Sequence, residues 1–196
     1  VALDAYGNIP RPAAQTADFA VDAVLNTASI FLVVSGTLSS SGSGFVGSVI
    51  PHVVGVYTIS AYVGDELIRD SILTATVVAA AASAAHSTVE GEGWLTGQTG
   101  IPLVTTVVVR DAFGNVRNTG DDNVTLLVGN VEVSGEYDGD GQYSLTRTYS
   151  TAGTFPASIT VNNDTITPSV GDSWNVVILQ SVGNVSSVAV VAPAGT

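Results

Sequence analysis

Residues able to do chemistry are few and far apart in this chain. The two histidines are His52 and His86, and neither stands at metal-ligand spacing from another His, Asp or Glu. Both are expected on the surface or along strand edges. Serines are plentiful, but none sits in a Gly-x-Ser-x-Gly turn and no base lies close by in sequence. Asp121 and Asp122 form an adjacent pair of carboxylates just ahead of an apolar alternating run, where capping of a turn is the expected role. Asp138-Gly139-Asp140-Gly141 has the opening of a calcium loop. Such a loop needs further acidic ligands and a bidentate Glu at its twelfth position, whereas Gln142 and Tyr143 follow here and lead into a strand. A plain turn is the expectation. No catalytic constellation, metal site or cofactor is expected, and the chain reads as a non-enzyme.

Composition narrows the partners. The formal net charge is -12, and the five basic residues are all arginines (Arg11, Arg69, Arg110, Arg117, Arg147) with no cluster among them. A nucleic-acid binder needs a basic stripe to neutralise phosphates, and an anionic membrane asks for the same. Neither partner is expected. Without cysteine there is no disulfide framework and no zinc–thiolate site. The most apolar stretch, Thr76 to Ala85, is short and mostly alanine, so membrane insertion is not expected. The start at Val1, with neither a methionine nor a leader-like segment, reads as that of a processed or excised piece.

The elements that would hold any site are strands. Val124, Leu126 and Val128 alternate with polar or outward positions, as do Phe155, Ala157, Ile159 and Val161, and then Trp174, Val176 and Ile178. Period-2 alternation buries one face and wets the other, as in a two-sheet sandwich. Turn signals at Phe113-Gly114-Asn115, Asp138 to Gly141 and Asn162-Asn163-Asp164 separate the runs. No segment shows helical periodicity, so the fold class is all-β. The pattern also repeats. Asp4-Ala5-Tyr6-Gly7-Asn8 returns as Asp111-Ala112-Phe113-Gly114-Asn115 at an offset of 107 residues. Gly44-Phe45 and Gly55-Val56-Tyr57 return as Gln142-Tyr143 and Gly153-Thr154-Phe155, and Ile68 as Ile166, all at an offset of 98. Two homologous units of about 100 residues, differing by one loop, follow from that spacing.

At these residues the chain resembles the filamin (actin-binding-protein type) immunoglobulin-like repeat. The second unit carries the pattern over roughly residues 86–178: Gly91-Glu92-Gly93-Trp94-Leu95, Val109 to Asn115, Gly120-Asp121-Asp122, Asp138 to Tyr143, and Tyr149 to Phe155. The first unit departs from it, with Ser43-Gly44-Phe45 in place of the acidic turn. Bacterial invasin-like immunoglobulin repeats share a similar Asp-x-x-Gly-Asn turn and compete as a likeness. The resemblance implies tandem immunoglobulin-like sandwiches with the turn motifs at Asp4, Gly7 and Asn8, at Asp111, Gly114 and Asn115, and at Asp138, Gly139, Asp140 and Gly141. It also implies that Asp138 to Gly141 joins two strands.

Three parts are expected. Residues 1–81 form an incomplete repeat without its first strands, 84–178 a complete repeat, and 179–196 a linker and strand for the next repeat or subunit. Val185 to Pro193 alternates and is β-branched, so Val185, Val188, Val190 and Val191 are candidates for a subunit-joining strand. The partner would be another copy, head to tail, through a longer covalent chain or by donor-strand addition. Three Asn-x-Ser/Thr sequons, at Asn123, Asn163 and Asn184, are candidate N-glycosylation sites, and Ser39 to Ser43 could take O-linked sugar. These expectations add up to a structural subunit of an extracellular or cell-surface glycosylated fibril or stalk. An intracellular filamin-like scaffold that binds peptides by strand addition, or an invasin-like adhesin stalk, is the alternative.

Overall fold

A computed structural model describes residues 19–26, 31–41, 44–90, 95–168 and 174–181. The chain divides into two compact units between Ala79 and Ala80. Strands account for nearly all the regular structure, and no α-helix occurs among the described residues. Alternation of small and β-branched side chains is the cause. Such residues pack well on a pleated, half-buried surface and lose rotamer freedom in a helix.

Unit 1 holds β1 (Phe19–Asn26), β2 (Phe31–Ser41), β3 (Gly44–Gly47), β4 (Gly55–Val63), β5 (Glu66–Leu67) and β6 (Leu73–Val77). They run in the order β3-β2-β1-β4-β5, with β6 also on β4. The β1–β4 register sets Ala23 opposite Ile59 and Leu25 opposite Tyr57. Ala23, Leu25 and Tyr57 form a small buried cluster, against which Val49, Ile59 and Val77 pack. Tyr57 lies wholly inside, and its phenol donates to the carbonyl of Val53 at 2.9 Å, which satisfies the one polar atom that burial would otherwise strand.

Unit 2 is a closed sandwich. Its strands are β7 (Thr88–Glu90), β8 (Thr96–Gln98), β9 (Pro102–Val108), β10 (Val124–Val128), β11 (Val131–Ser134), β12 (Glu136–Gly139), β13 (Gln142–Thr148), β14 (Gly153–Val161), β15 (Asp164–Thr165) and β16 (Trp174–Leu179). One sheet runs β11-β10-β14-β16-β8, with β15 on β14, and the other β12-β13-β9-β7. Val107, Tyr143 and Leu145 from the second sheet meet Leu126, Ile159, Val176 and Ile178 from the first in one continuous core. Each such side chain contributes roughly 1.5–3 kcal/mol when removed from water. Asp138 to Gly141 forms the β12–β13 turn, with Gly139, Asp140 and Gly141 all at positive φ.

Several pairings recur at the offset read from the sequence. β4 and β14 have the same length 98 residues apart, and the pairs Tyr62–Leu67 and Val63–Glu66 return as Thr160–Thr165 and Val161–Asp164. The amide of Ile68 donates to the carbonyl of Ala61, and that of Ile166 to the carbonyl of Ile159, each at 2.9 Å. Gly44 and Gln142 each open a strand that pairs antiparallel with the one before it. The two units therefore share hairpins and register as well as residues.

Candidate functional site

A polar junction at one end of unit 2 joins segments distant in sequence. It starts from Asp111, placed just past the end of β9 and almost completely buried. Its Oδ1 accepts from the amides of Phe113 and Asn115, both at 2.9 Å, and closes the turn over Gly114, whose φ is +83. The Asn115 side-chain amide also donates to both oxygens. Oδ2 remains for a distant partner, the amide of Ala80 at 3.0 Å. Burial alone would raise the carboxyl's pKa. The bonds from the Asn115 side chain and from the Ala80, Asn115 and Phe113 amides outweigh burial and hold it below its ordinary value of 3.8.

Arg117 completes the grip. It donates to the carbonyl of the same Ala80 whose amide Asp111 accepts. Its Nε bonds Asp122 at 2.8 Å and its Nη2 bonds Asp121 at 3.0 Å, and Asp122 is almost wholly enclosed. The Asp122 hydrogen bond is the main reason that the guanidinium's pKa rises. Asp122 also accepts from the Asn162 side-chain amide at 2.9 Å, while Asn162 Oδ1 accepts the amide of Asn123. The amide of Asp122 donates to the phenol oxygen of Tyr143, whose pKa is raised, chiefly by burial. One network thus ties the segment entering unit 2, the turn after β9, the lead into β10, the start of β13 and the β14–β15 turn.

The entering segment follows from this. Ala80 is bonded to Asp111 and Arg117, Ala82 bridges to Asp111, and the amide of Ser83 donates to the carbonyl of Arg110 at 2.8 Å. Ser87 Oγ accepts the amide of Arg110, and β7 then pairs with β9 from Thr88–Val108 to Glu90–Thr106. Thr88 to Glu90 therefore pair along β9, while Ala80 to Ser83 lie against Arg110 and Asp111 just beyond it, with a turn at residues 84–86 between them. For that reason the division lies at Ala79/Ala80, ahead of the start at residue 84 read from the sequence.

The other sequence candidates fall as follows. Asp121 and Asp122 hold Arg117 rather than simply capping a turn. Asn163 is exposed at the tip of the β14–β15 hairpin, where Asn162 and Asn163 both have positive φ, as a two-residue turn of the primed type requires. Asn123 is exposed immediately before β10. His86 is exposed and shares a 3.0 Å hydrogen bond with Ser83, and His52 is exposed in unit 1. No group of three or more His, Asp or Glu poised for a metal occurs among the described residues. Asp4, Gly7, Asn8, Asn184, Val185, Val188, Val190 and Val191 lie outside the described residues. Sequence reasoning missed Arg117 as the centre of the network. The one hint was its position six residues after Asp111 in an otherwise cation-poor chain.

No protein-family model matches the chain, and a search of curated proteins gives no match. Solved structures do resemble it. An Escherichia coli adhesin, FdeC, shares 20% identity at a TM-score of 0.54, covering 90% of this chain and 56% of that one. The chain thus spans about half of that structure. The Lin-41 filamin domain has 23% identity and a TM-score of 0.44 over 51% of this chain and 98% of its own. InvD of Yersinia pseudotuberculosis has 18% identity and a TM-score of 0.49 over 95% of this chain and 53% of its own. At these identities the likeness is one of fold. The expected immunoglobulin-like β-sandwich is the fold of this chain.

Proposed function

We propose that this chain is a structural module of a surface-exposed stalk or fibril, in which immunoglobulin-like units transmit tension and join end to end by strand pairing. The observation that carries the reading is a difference between equivalent strands. In unit 2, β13 is flanked by β12 and β9, whereas its counterpart β3 has β2 on one side and no second partner among the described residues. A strand edge with free amides and carbonyls is a template for another strand. The segment from Val185 to Val191 is a chemically suitable donor: as a strand it would set Val188 and Val190 on one face and Val185 and Val191 on the other. Head-to-tail joining of this kind does not close on itself and gives a filament of copies. The adhesin likeness supports a surface setting.

N-linked sugar on Asn163, and on Asn123 and Asn184, belongs to the same reading. The hairpin tip of Asn163 projects from the sheet and tolerates a bulky substituent. The unbalanced acidic charge keeps such surfaces mutually repulsive, so association is left to specific strand pairing. The test is electron microscopy of purified chain with and without residues 184–196. Loss of end-to-end association in the shortened chain is expected. Filaments of unchanged length would remove the tail from the joining role, and glycopeptide mass spectrometry of native material checks Asn163 independently.

A further inference from the structure

We infer that β6 carries a second acceptor edge, which rests on the tail-joining reading above: the tail of another copy crosses it as a short parallel strand, Val182 to Asn184, before it reaches β3. β6 pairs with β4 and with no other strand among the described residues. Its counterpart in unit 2 is β16. Gly55 faces Val77 across β4–β6 as Gly153 faces Ile178 across β14–β16, so Thr76, Val77 and Val78 correspond to Val177, Ile178 and Leu179. β16 does have a second neighbour. β8 lies along it in parallel, with Thr96, Gly97 and Gln98 opposite Val177, Ile178 and Leu179, and the amide of Thr99 donates to the carbonyl of Leu179 at 3.0 Å. Unit 2 thus displays the occupant that such an edge takes.

The tail has the order and spacing for both edges. In unit 2, β8 leads into β9 through a turn in which the Gly100 amide donates to the carbonyl of Tyr149 at 2.8 Å, and β9 is the strand that pairs with β13. Gly183 and Val188 are as far apart in sequence as Gly97 and Pro102. One shift of 86 residues therefore lays Val182-Gly183-Asn184 on β8 and the valine-rich run from Val188 on β9. The glycine is the informative match: a Cβ on Gly97 would come within 3.2 Å of Ile178 and 3.4 Å of Leu103, so this strand lies close to its neighbours. Thr96 and Gln98 are exposed, and by the same alternation Asn184 would face outward with its sequon accessible. The crossing also covers an apolar loop. Ile50, Val53 and Val56 are exposed in unit 1, where the offset of 98 puts Thr148, Thr151 and Thr154 in unit 2. The carbonyl equivalent to that of Tyr149 belongs to Pro51, in the same loop, and would take the amide of Ser186.

The test adds synthetic tail peptides to the full chain and reads filament length by electron microscopy. A peptide of residues 180–194 offers both strands and is expected to shorten filaments by capping unit 1. With Val185→Pro it lacks the N–H that stands where Thr99 donates, and about tenfold more of it should be needed. With Val188→Pro it should act as the wild-type peptide does, because unit 2 has Pro102 at that position. A peptide of residues 187–194, with the β3 strand alone, should be about as weak as the Val185→Pro peptide. Hydrogen exchange locates the contact: the 180–194 peptide should slow the amides of Thr74 to Val78, and the 187–194 peptide should not. These comparisons leave the protein unaltered, so a folding defect cannot imitate the result. Equal potency of the 180–194 and 187–194 peptides, or no slowing at β6, overturns the inference and leaves joining at β3 intact. Filaments that no peptide shortens, or a chain that forms none, overturn tail joining itself and this crossing with it.

Discussion

Asp122→Ala is the most informative single perturbation of the junction. The side chain is 3% exposed, its partner Arg117 is 11% exposed, and they meet at 2.8 Å. Removing the carboxylate leaves the guanidinium without its most enclosed partner and leaves the Asn162 amide without its acceptor. Breaking a buried pair from one side costs about 3–5 kcal/mol. Arg117 keeps the carbonyl of Ala80 and the exposed Asp121, so the lower end, about 3 kcal/mol, is expected. For a unit of this size that is a fall in Tm of roughly 10 °C. Both tryptophans, Trp94 and Trp174, belong to unit 2, so tryptophan fluorescence follows its melting alone. Asp121→Ala is the control, since that carboxylate is 67% exposed and no resolvable shift in Tm is expected. The double variant Arg117→Ala/Asp122→Ala should lose less than the sum of the two single changes. Equal small shifts for Asp121→Ala and Asp122→Ala would refute the claim that the enclosed pair organises the junction.

Other changes test neighbouring features. Gly141 has φ +72, and a methyl group there would run into Val116 and meet the carbonyl of Arg117 at 3.0 Å, so Gly141→Ala should destabilise unit 2 by about 3 kcal/mol by thermal melting. Gly100, with a similar φ of +79 and open space around it, should cost only about 1 kcal/mol on the same change. Because the folded-state pKa of Asp111 is depressed, its stabilising contribution is complete above the ordinary value of 3.8 and is lost as pH falls through the lower folded value. Urea midpoints of unit 2 should therefore drop in acid, and Asp111→Asn should flatten part of that drop while lowering stability near neutrality. In unit 1, Tyr57→Phe removes the donor to Val53 and should cost about 1 kcal/mol, read as faster hydrogen exchange of β4 amides.

The sheet scaffold was legible because strand periodicity is local. Val124, Leu126 and Val128, then Ile159 and Val161, then Val176 and Ile178 alternate in sequence and share one core in space. The offset of 98 carried the register of β4 and β5 onto β14 and β15, because a hairpin's register is set by its turn length and not by distant contacts. β9 was harder to read. It lies between β13 and β7, and its run from Leu103 to Val109 mixes buried Thr105 with adjacent apolar residues, so the alternation blurs. The junction was illegible for a different reason. Asp111 meets Ala80 across 31 residues and Asp122 meets Asn162 across 40, and no local pattern announces bonds that exist only once the sheets have closed.

The arginines show how a chain so poor in cations uses them. In unit 2, Arg110 donates to the carbonyl of Gly114, Arg117 to that of Ala80, and Arg147 to those of Val128 and Val131 while its guanidinium lies over the Tyr149 ring at 4.7 Å. Each ties down a loop or an entering segment by a backbone acceptor. Two of them thereby bridge parts of the fold that strand pairing leaves open: the turn from β10 to β11 and the start of the unit. A guanidinium suits this work because its planar fork can serve several acceptors at once and stays charged at any accessible pH. Lysine offers a single, strongly hydrated point charge instead. Arg147→Lys should therefore lose the Val131 contact and the face-on packing with Tyr149 while keeping the charge. The measurable consequence is faster hydrogen exchange at the β10–β11 turn with little change in the β14 core, and equal protection in both variants would show that charge alone suffices there.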